Sequence, residues 1–131
     1  MILGIGTDLV QINRIQKTLD KFQGTFEKKV FTQFEQDKAN TLPSNKKASF
    51  FAKRFAAKEA FSKALGCGIG MSAFFQDIEI QNDKQGAPFF KISGTALQTL
   101  MQKTNGKEYR IHLSLTDEKE FAGAYVVIEI L

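Results

Sequence analysis

The chain has 131 residues, 43% of them hydrophobic and 24% charged, which suits one soluble globular domain over 1–131 with its own core. No apolar run reaches the ~18–20 residues of a bilayer crossing and the N-terminus lacks the basic start of a signal peptide, so no membrane span is expected and a cytoplasmic location is. One Cys and one His exclude a Cys/His zinc site within the chain; any metal would take oxygen ligands, as magnesium, manganese or calcium do, and the net charge of +4 favours an anionic partner.

Residues 1–8 alternate as a strand does, with Leu3, Ile5 and Thr7 on one face and Ile2, Gly4, Gly6 and Asp8 on the other. Glycine inside a strand marks the close approach of another backbone or of a ligand. Asp8 therefore has two readings. It caps the helix that follows, or it sits at the strand end on the side the glycines leave open. From Leu9 to about Phe22, Leu9, Ile12, Ile15 and Leu19 fall on one helical stripe. Arg14, Lys17 and Lys21 share another, as a solvated basic face would. Residues 23–31 read as irregular. Thr32 opens a short helix to Asn40, with Glu35 three residues on in a capping-box pattern. Pro43 breaks the chain, and Ser44 or Asn45 can cap what comes next.

The spacing predicts a long helix from about Lys46 to Leu65. Ala48, Phe51, Ala52, Phe55 and Ala56 make one apolar arc, and Phe50, Ala57, Phe61, Ala64 and Leu65 make a second. A helix apolar on two sides is largely buried. Glu59 falls inside the first arc with Lys63 beside it, and an ionised carboxylate there costs several kcal/mol unless it is partnered. An i,i+4 pair with Lys63 contributes only ~0.2–0.5 kcal/mol on a surface, so a cleft with a bound partner is the competing reading. Gly66 suits the helix stop. Gly68 and Gly70 loosen the turn enough for backbone amides to approach an anion, although a plain flexible turn is the commoner explanation.

The C-terminal half reads as strands. Phe74–Ile80 and Ala87–Ser93 flank a turn, and Gly94–Lys103 is a short amphipathic helix. Tyr109–Thr116 alternates apolar and polar residues, and Phe121–Ile130 is apolar enough for a central strand buried on both faces. The fold class is α+β: an antiparallel sheet packed against a long central helix. Two acids on different elements, Asp8 and Glu59, would hold magnesium in the usual way if substrate phosphates and water supplied the other ligands. Lys58 and Lys63 could neutralise phosphate oxygens, so Mg²⁺-assisted phosphoryl transfer is permitted. Nothing in the spacing forces the two acids together.

Three segments, Gly4-Ile-Gly-Thr-Asp-Leu-Val-Gln-Ile12, Phe55-Ala-Ala-Lys-Glu-Ala-Phe-Ser-Lys-Ala-Leu-Gly66 and Phe75-Gln-Asp-Ile78, make the chain resemble the holo-acyl-carrier-protein synthases, small 4′-phosphopantetheinyl transferases. The resemblance implies transfer of the phosphopantetheine arm of coenzyme A to a serine of an acyl carrier protein, a step that supports fatty acid biosynthesis. It also implies Asp8 and Glu59 as magnesium ligands, Glu59 as the base, and Lys63 at the coenzyme A phosphates. Lys58, Gly66, Gly68, Gly70 and His112 are expected along the cofactor. Arg14, Lys17, Lys21 and Phe26 are expected to dock the acidic carrier protein, where charge attraction speeds encounter and fixes register. The family is typically a homotrimer with sites between protomers. Many members carry His where this chain has Asp117, and an ionised Asp is a poor phosphate contact; it would meet a donor on the cofactor or cap the turn. His112 has a second reading as a polar-face strand residue without catalytic duty. The competing functions are a basic RNA-binding module, which lacks any RNP-like motif here, and an interaction protein whose Glu59–Lys63 pair is only structural. Neither nucleic acid nor membrane is an expected partner.

Overall fold

The computed structural model describes residues 1–131. In chain order the elements are β1 (Ile2–Gln11), α1 (Ile12–Phe22), α2 (Thr25–Val30), α3 (Gln33–Ala39), α4 (Ser44–Leu65), a 3₁₀ turn (Phe75–Asp77), β2 (Ile78–Asn82), β3 (Pro88–Ile92), α5 (Gly94–Lys103), β4 (Tyr109–Asp117) and β5 (Phe121–Ile130). The fold is α+β. The N-terminal strand does not stand apart from the C-terminal ones. It pairs antiparallel with β5, which pairs antiparallel with β4, and the sheet order is β1-β5-β4. β2 and β3 form a separate hairpin.

α4 lies across the sheet, and its length follows from its composition. Alanines and phenylalanines alternate around it, so Phe51, Ala52, Ala56, Ala57, Ala60 and Phe61 are all buried. The approach to β1 is set by glycine. A Cβ on Gly4 would collide with the Ala64 carbonyl, and one on Gly6 with that of Ala60. The open side of the strand is therefore filled by a helix backbone, the first of the two explanations that strand glycines allow. α4 ends as predicted: Gly66 is left-handed (φ 79°), Gly66 N–H donates to the Lys63 carbonyl at 3.1 Å and Cys67 N–H to that of Ser62 at 3.0 Å. These are the two bonds of a Schellman stop.

Several boundaries depart from the pattern. β1 runs three residues past Asp8 because pairing with β5 continues to Gln11 opposite Phe121. Residues 25–30 form a helix rather than an irregular stretch. The start of α4 has no side-chain cap: Pro43 occupies the cap position, and Ser44 and Asn45 already lie inside the helix. The hairpin begins at Ile78, after the 3₁₀ turn, rather than at Phe74. β5 is central, but only one of its faces is buried in the chain. Ala122, Ala124, Val126 and Ile128 lie under α4, whereas Phe121 and Tyr125 on the other face are exposed.

Candidate active site

Asp8 sits in register with Ala124, on the face of β1 that looks at α4. It is not a helix cap. Gln11 holds that position without a side-chain bond, and Ile12 N–H is satisfied by the Glu120 carbonyl at 2.9 Å. Because α4 is seated so closely on β1, Glu59 is brought beside Asp8. Both open into one cleft of about 240 Å³ between β1, α1, α2 and α4. Ile15, Phe26 and Phe55 supply its apolar wall and Arg14 joins it from α1. Phe55 is held between Phe26, centroids 6.3 Å apart, and Phe75, stacked at 5.8 Å.

The electrostatics follow from that crowding. The Glu59 carboxyl is pushed above the ordinary carboxylate range by burial, then by the negative charge of Asp8, against the opposing charge of Lys63. Lys63 does not pair with Glu59 one turn earlier. Its Nζ crosses to β1 and donates to Asp8 Oδ1 at 3.2 Å and to the Thr7 carbonyl at 3.0 Å. Two carboxylates thus converge on one cleft, with the Lys63 ammonium bonded to one of them. No third His, Cys, Asp or Glu joins them. This donor set fits magnesium, which keeps several waters and is commonly held by one or two carboxylates plus substrate phosphates.

Residues 4–126 match the 4′-phosphopantetheinyl transferase superfamily. A holo-[acyl-carrier-protein] synthase of Zymomonas mobilis is 52% identical over 131 residues, spanning 98% of this chain and 97% of that protein. One from Dinoroseobacter shibae is 47% identical, spanning 100% and 94%. The chain belongs to the 4′-phosphopantetheinyl transferase superfamily. The crystal structure of a holo-(acyl-carrier-protein) synthase from Bacillus anthracis, in complex with CoA (3′,5′-ADP), shares its fold with a TM-score of 0.83 at 42% identity, covering 100% of this chain and 99% of that one.

In this phosphopantetheinyl transferase the other predicted residues are distributed unevenly. Lys58 is the clearest correction. Its side chain is wholly buried, paired with Glu35 at 2.8 Å and donating to the Phe75 carbonyl at 2.9 Å, so it has no access to a cofactor phosphate. Burial pushes its amine down while Glu35 holds it up. Of the glycines, Gly66 spends its N–H on the helix stop and Gly70 donates to the Ala73 carbonyl at 2.8 Å. Neither amide can serve an anion; Gly68 alone has no backbone acceptor and open space beside it. His112 lies on the outer face of the sheet in register with Val127, away from Asp8, and bonds Glu129 at 3.0 Å. That hydrogen bond holds the Glu129 carboxyl below its ordinary range. Arg14 and Phe26 line the cleft, whereas Lys17 and Lys21 are exposed farther along α1, Lys21 lying over the Phe22 ring at 5.3 Å. Asp117 caps nothing: it accepts from Ser49 Oγ at 3.0 Å and faces Lys53 at 3.7 Å.

Sequence reasoning misses a second cleft, about 690 Å³, beside the N-terminal half of α4. Lys38, Lys46, Lys53, Arg54 and Lys119 make it basic despite Asp117 and Glu118. Arg54 is buried there, bonded to Asn82 at 2.6 Å and set over Phe50 at 4.2 Å, with its Nε unpartnered. The one signal for it in the sequence is Arg54 set among the apolar residues Phe50, Phe51, Ala57 and Phe61 of α4, one and a half turns before Glu59.

Proposed function

We propose that the chain transfers the 4′-phosphopantetheine arm of coenzyme A to a serine of apo-acyl carrier protein, releasing adenosine 3′,5′-bisphosphate. The observation that carries this reading is the meeting of Asp8 and Glu59 in a cleft whose wall also holds Arg14 and Phe26. Chemistry and partner recognition thus share one opening. The family's solved relatives agree in ligand class: the Bacillus anthracis protein is in complex with CoA (3′,5′-ADP) and a Helicobacter pylori synthase with coenzyme A.

Glu59 takes the proton of the serine hydroxyl, directly or through a water. The serine oxygen then bonds the phosphorus that carries the pantetheine arm, and the bond from that phosphorus to the bridging oxygen breaks, leaving the electron pair on the bisphosphate. Magnesium on Asp8 and Glu59, completed by diphosphate oxygens and water, would neutralise the charge that develops there. Lys63 stabilises the equatorial oxygens in transit. Arg14, with Lys17 and Lys21 farther out, steers the acidic carrier. The basic cleft around Arg54 suits an anionic nucleotide.

The active unit is a homotrimer. Ile5, Leu9 and Tyr125, 56%, 70% and 49% exposed, leave an apolar patch on the outer sheet face of the single chain. Copies joined there would bring His112 toward a neighbour's site. The reaction supports fatty acid biosynthesis in the cytoplasm.

The test is mass spectrometry of an apo-acyl carrier protein after incubation with coenzyme A, Mg²⁺ and the protein. A gain of one phosphopantetheine arm is expected, and Glu59→Gln should abolish it while leaving the assembly intact. An unmodified carrier, together with salt-sensitive RNA binding, would sink the proposal.

A further inference from the structure

Lys63 makes an unexpected choice of partner. A lysine four residues after a glutamate on a helix ordinarily pairs with it, yet the Lys63 amine leaves Glu59 and bonds Asp8 and the Thr7 carbonyl on β1. Nothing packs it into place, since its side chain is 54% exposed. The ammonium thus sits on Asp8, one of the two carboxylates a cation would use. The proposed function needs Asp8 on a divalent ion and Lys63 on the diphosphate, and their bond takes one Asp8 oxygen and one ammonium donor from those uses while its positive charge opposes a metal ion at Asp8.

We infer that Lys63 is an exchangeable counter-cation that couples divalent-cation binding to coenzyme A binding. Without ligands it neutralises Asp8 and competes with a metal ion for the carboxylate. The diphosphate offers the ammonium a stronger anion, Lys63 moves to it, and Asp8 is released to the metal. Each ligand then raises the affinity of the other by the same factor, as linkage requires. The inference rests on the assignment of Asp8 and Glu59 as metal ligands and adds an order to it: the metal binds weakly alone and tightly with the cofactor.

Mn²⁺ is the probe, with bound ion read by electron paramagnetic resonance rather than by turnover. On the wild type without coenzyme A, Mn²⁺ should bind weakly, and saturating coenzyme A should tighten it within the ~5–150-fold range usual for coupled sites. Lys63→Met should bind Mn²⁺ about tenfold more tightly than the wild type when coenzyme A is absent, because the competitor is gone, and should gain less from the cofactor. Lys63→Arg should keep the wild-type order. Lys63 is exposed, so these variants empty no core, and circular dichroism checks their fold. Mn²⁺ affinity that Lys63→Met leaves unchanged or weakens overturns the exchange while the metal site stands. Failure of the wild type to bind Mn²⁺ even with coenzyme A removes the metal site, and the exchange with it.

Discussion

Glu59 ionises at a cost, and that cost has a sign that can be measured. Its carboxyl is raised first by burial and second by Asp8. A carboxylate whose folded value is raised stabilises the fold fully below its unfolded value, about 4.3, and loses that contribution as pH rises through the folded value. Glu59 in the metal-free protein thus opposes folding at neutral pH. Glu59→Gln removes the charge and keeps the shape. In EDTA it should melt higher than the wild type at pH 7–8 and level with it near pH 4, by a margin below about 1 kcal/mol because the group is part-exposed and screened. Calorimetry at both pH values decides; a variant less stable at pH 8 would show that the crowding is not felt. The helical spacing makes it legible that Glu59 needs a partner. It does not name Asp8, because the partner is chosen by how closely α4 rests on Gly4 and Gly6, a tertiary fact.

At the scale of elements, α4 shows what a one-dimensional pattern holds and what it leaves out. Its length, its burial and its glycine stop follow from alternating Ala and Phe and from Gly66. The capping box of Thr32 and Glu35 is equally legible and forms as read, with Thr32 N–H donating to Glu35 Oε1 at 2.9 Å and Glu35 N–H to Thr32 Oγ1 at 3.2 Å. What the pattern cannot contain is the second use of Glu35. Its side chain also accepts Ile80 N–H at 2.9 Å and holds Lys58, so one carboxylate ties α3, β2 and α4 together. Lysine next to Glu59 looks like a phosphate contact until its direction around the helix is known. Breaking a buried pair by removing one partner strands the other charge, which costs ~3–5 kcal/mol. Lys58→Met should therefore lose about that much in urea unfolding, and adding Glu35→Gln should recover part of it. A single variant within about 1 kcal/mol of the wild type would show that Glu35 finds another partner or sheds its charge cheaply. β1 and α1 illustrate the opposite case. Leu9 fits the helical stripe, but strand pairing with β5 carries it outward at the sheet surface, since ladder bonds outweigh a weak periodicity.

The molecule as a whole has a sheet with one finished face. Register places Ile5, Val127 and His112 in one row across the outer side and Thr7, Tyr125 and Ser114 in the next. β5 reads as a strand buried on both faces because its composition is that of such a strand, and the single chain covers only one of them. An apolar central strand with a bare face calls for a second layer, and a surface shared by identical chains is the economical source of one. Identical copies meeting through this face would bury Ile5 and Tyr125 and leave Asp8, Glu59 and Lys63, on the opposite side of the sheet, free for chemistry. Ile5→Arg and Tyr125→Arg each place a charge in that layer without touching the cleft. Light scattering should show the wild type as a trimer and each variant as a monomer with native circular dichroism. Transfer to the carrier should fall steeply in the monomers if, as proposed, the active unit needs a neighbouring copy, while Mn²⁺ binding in the presence of coenzyme A weakens only to the extent that the neighbour holds the cofactor. A monomeric variant with wild-type transfer would mean that the cleft of one chain suffices, and that the apolar face serves some other contact.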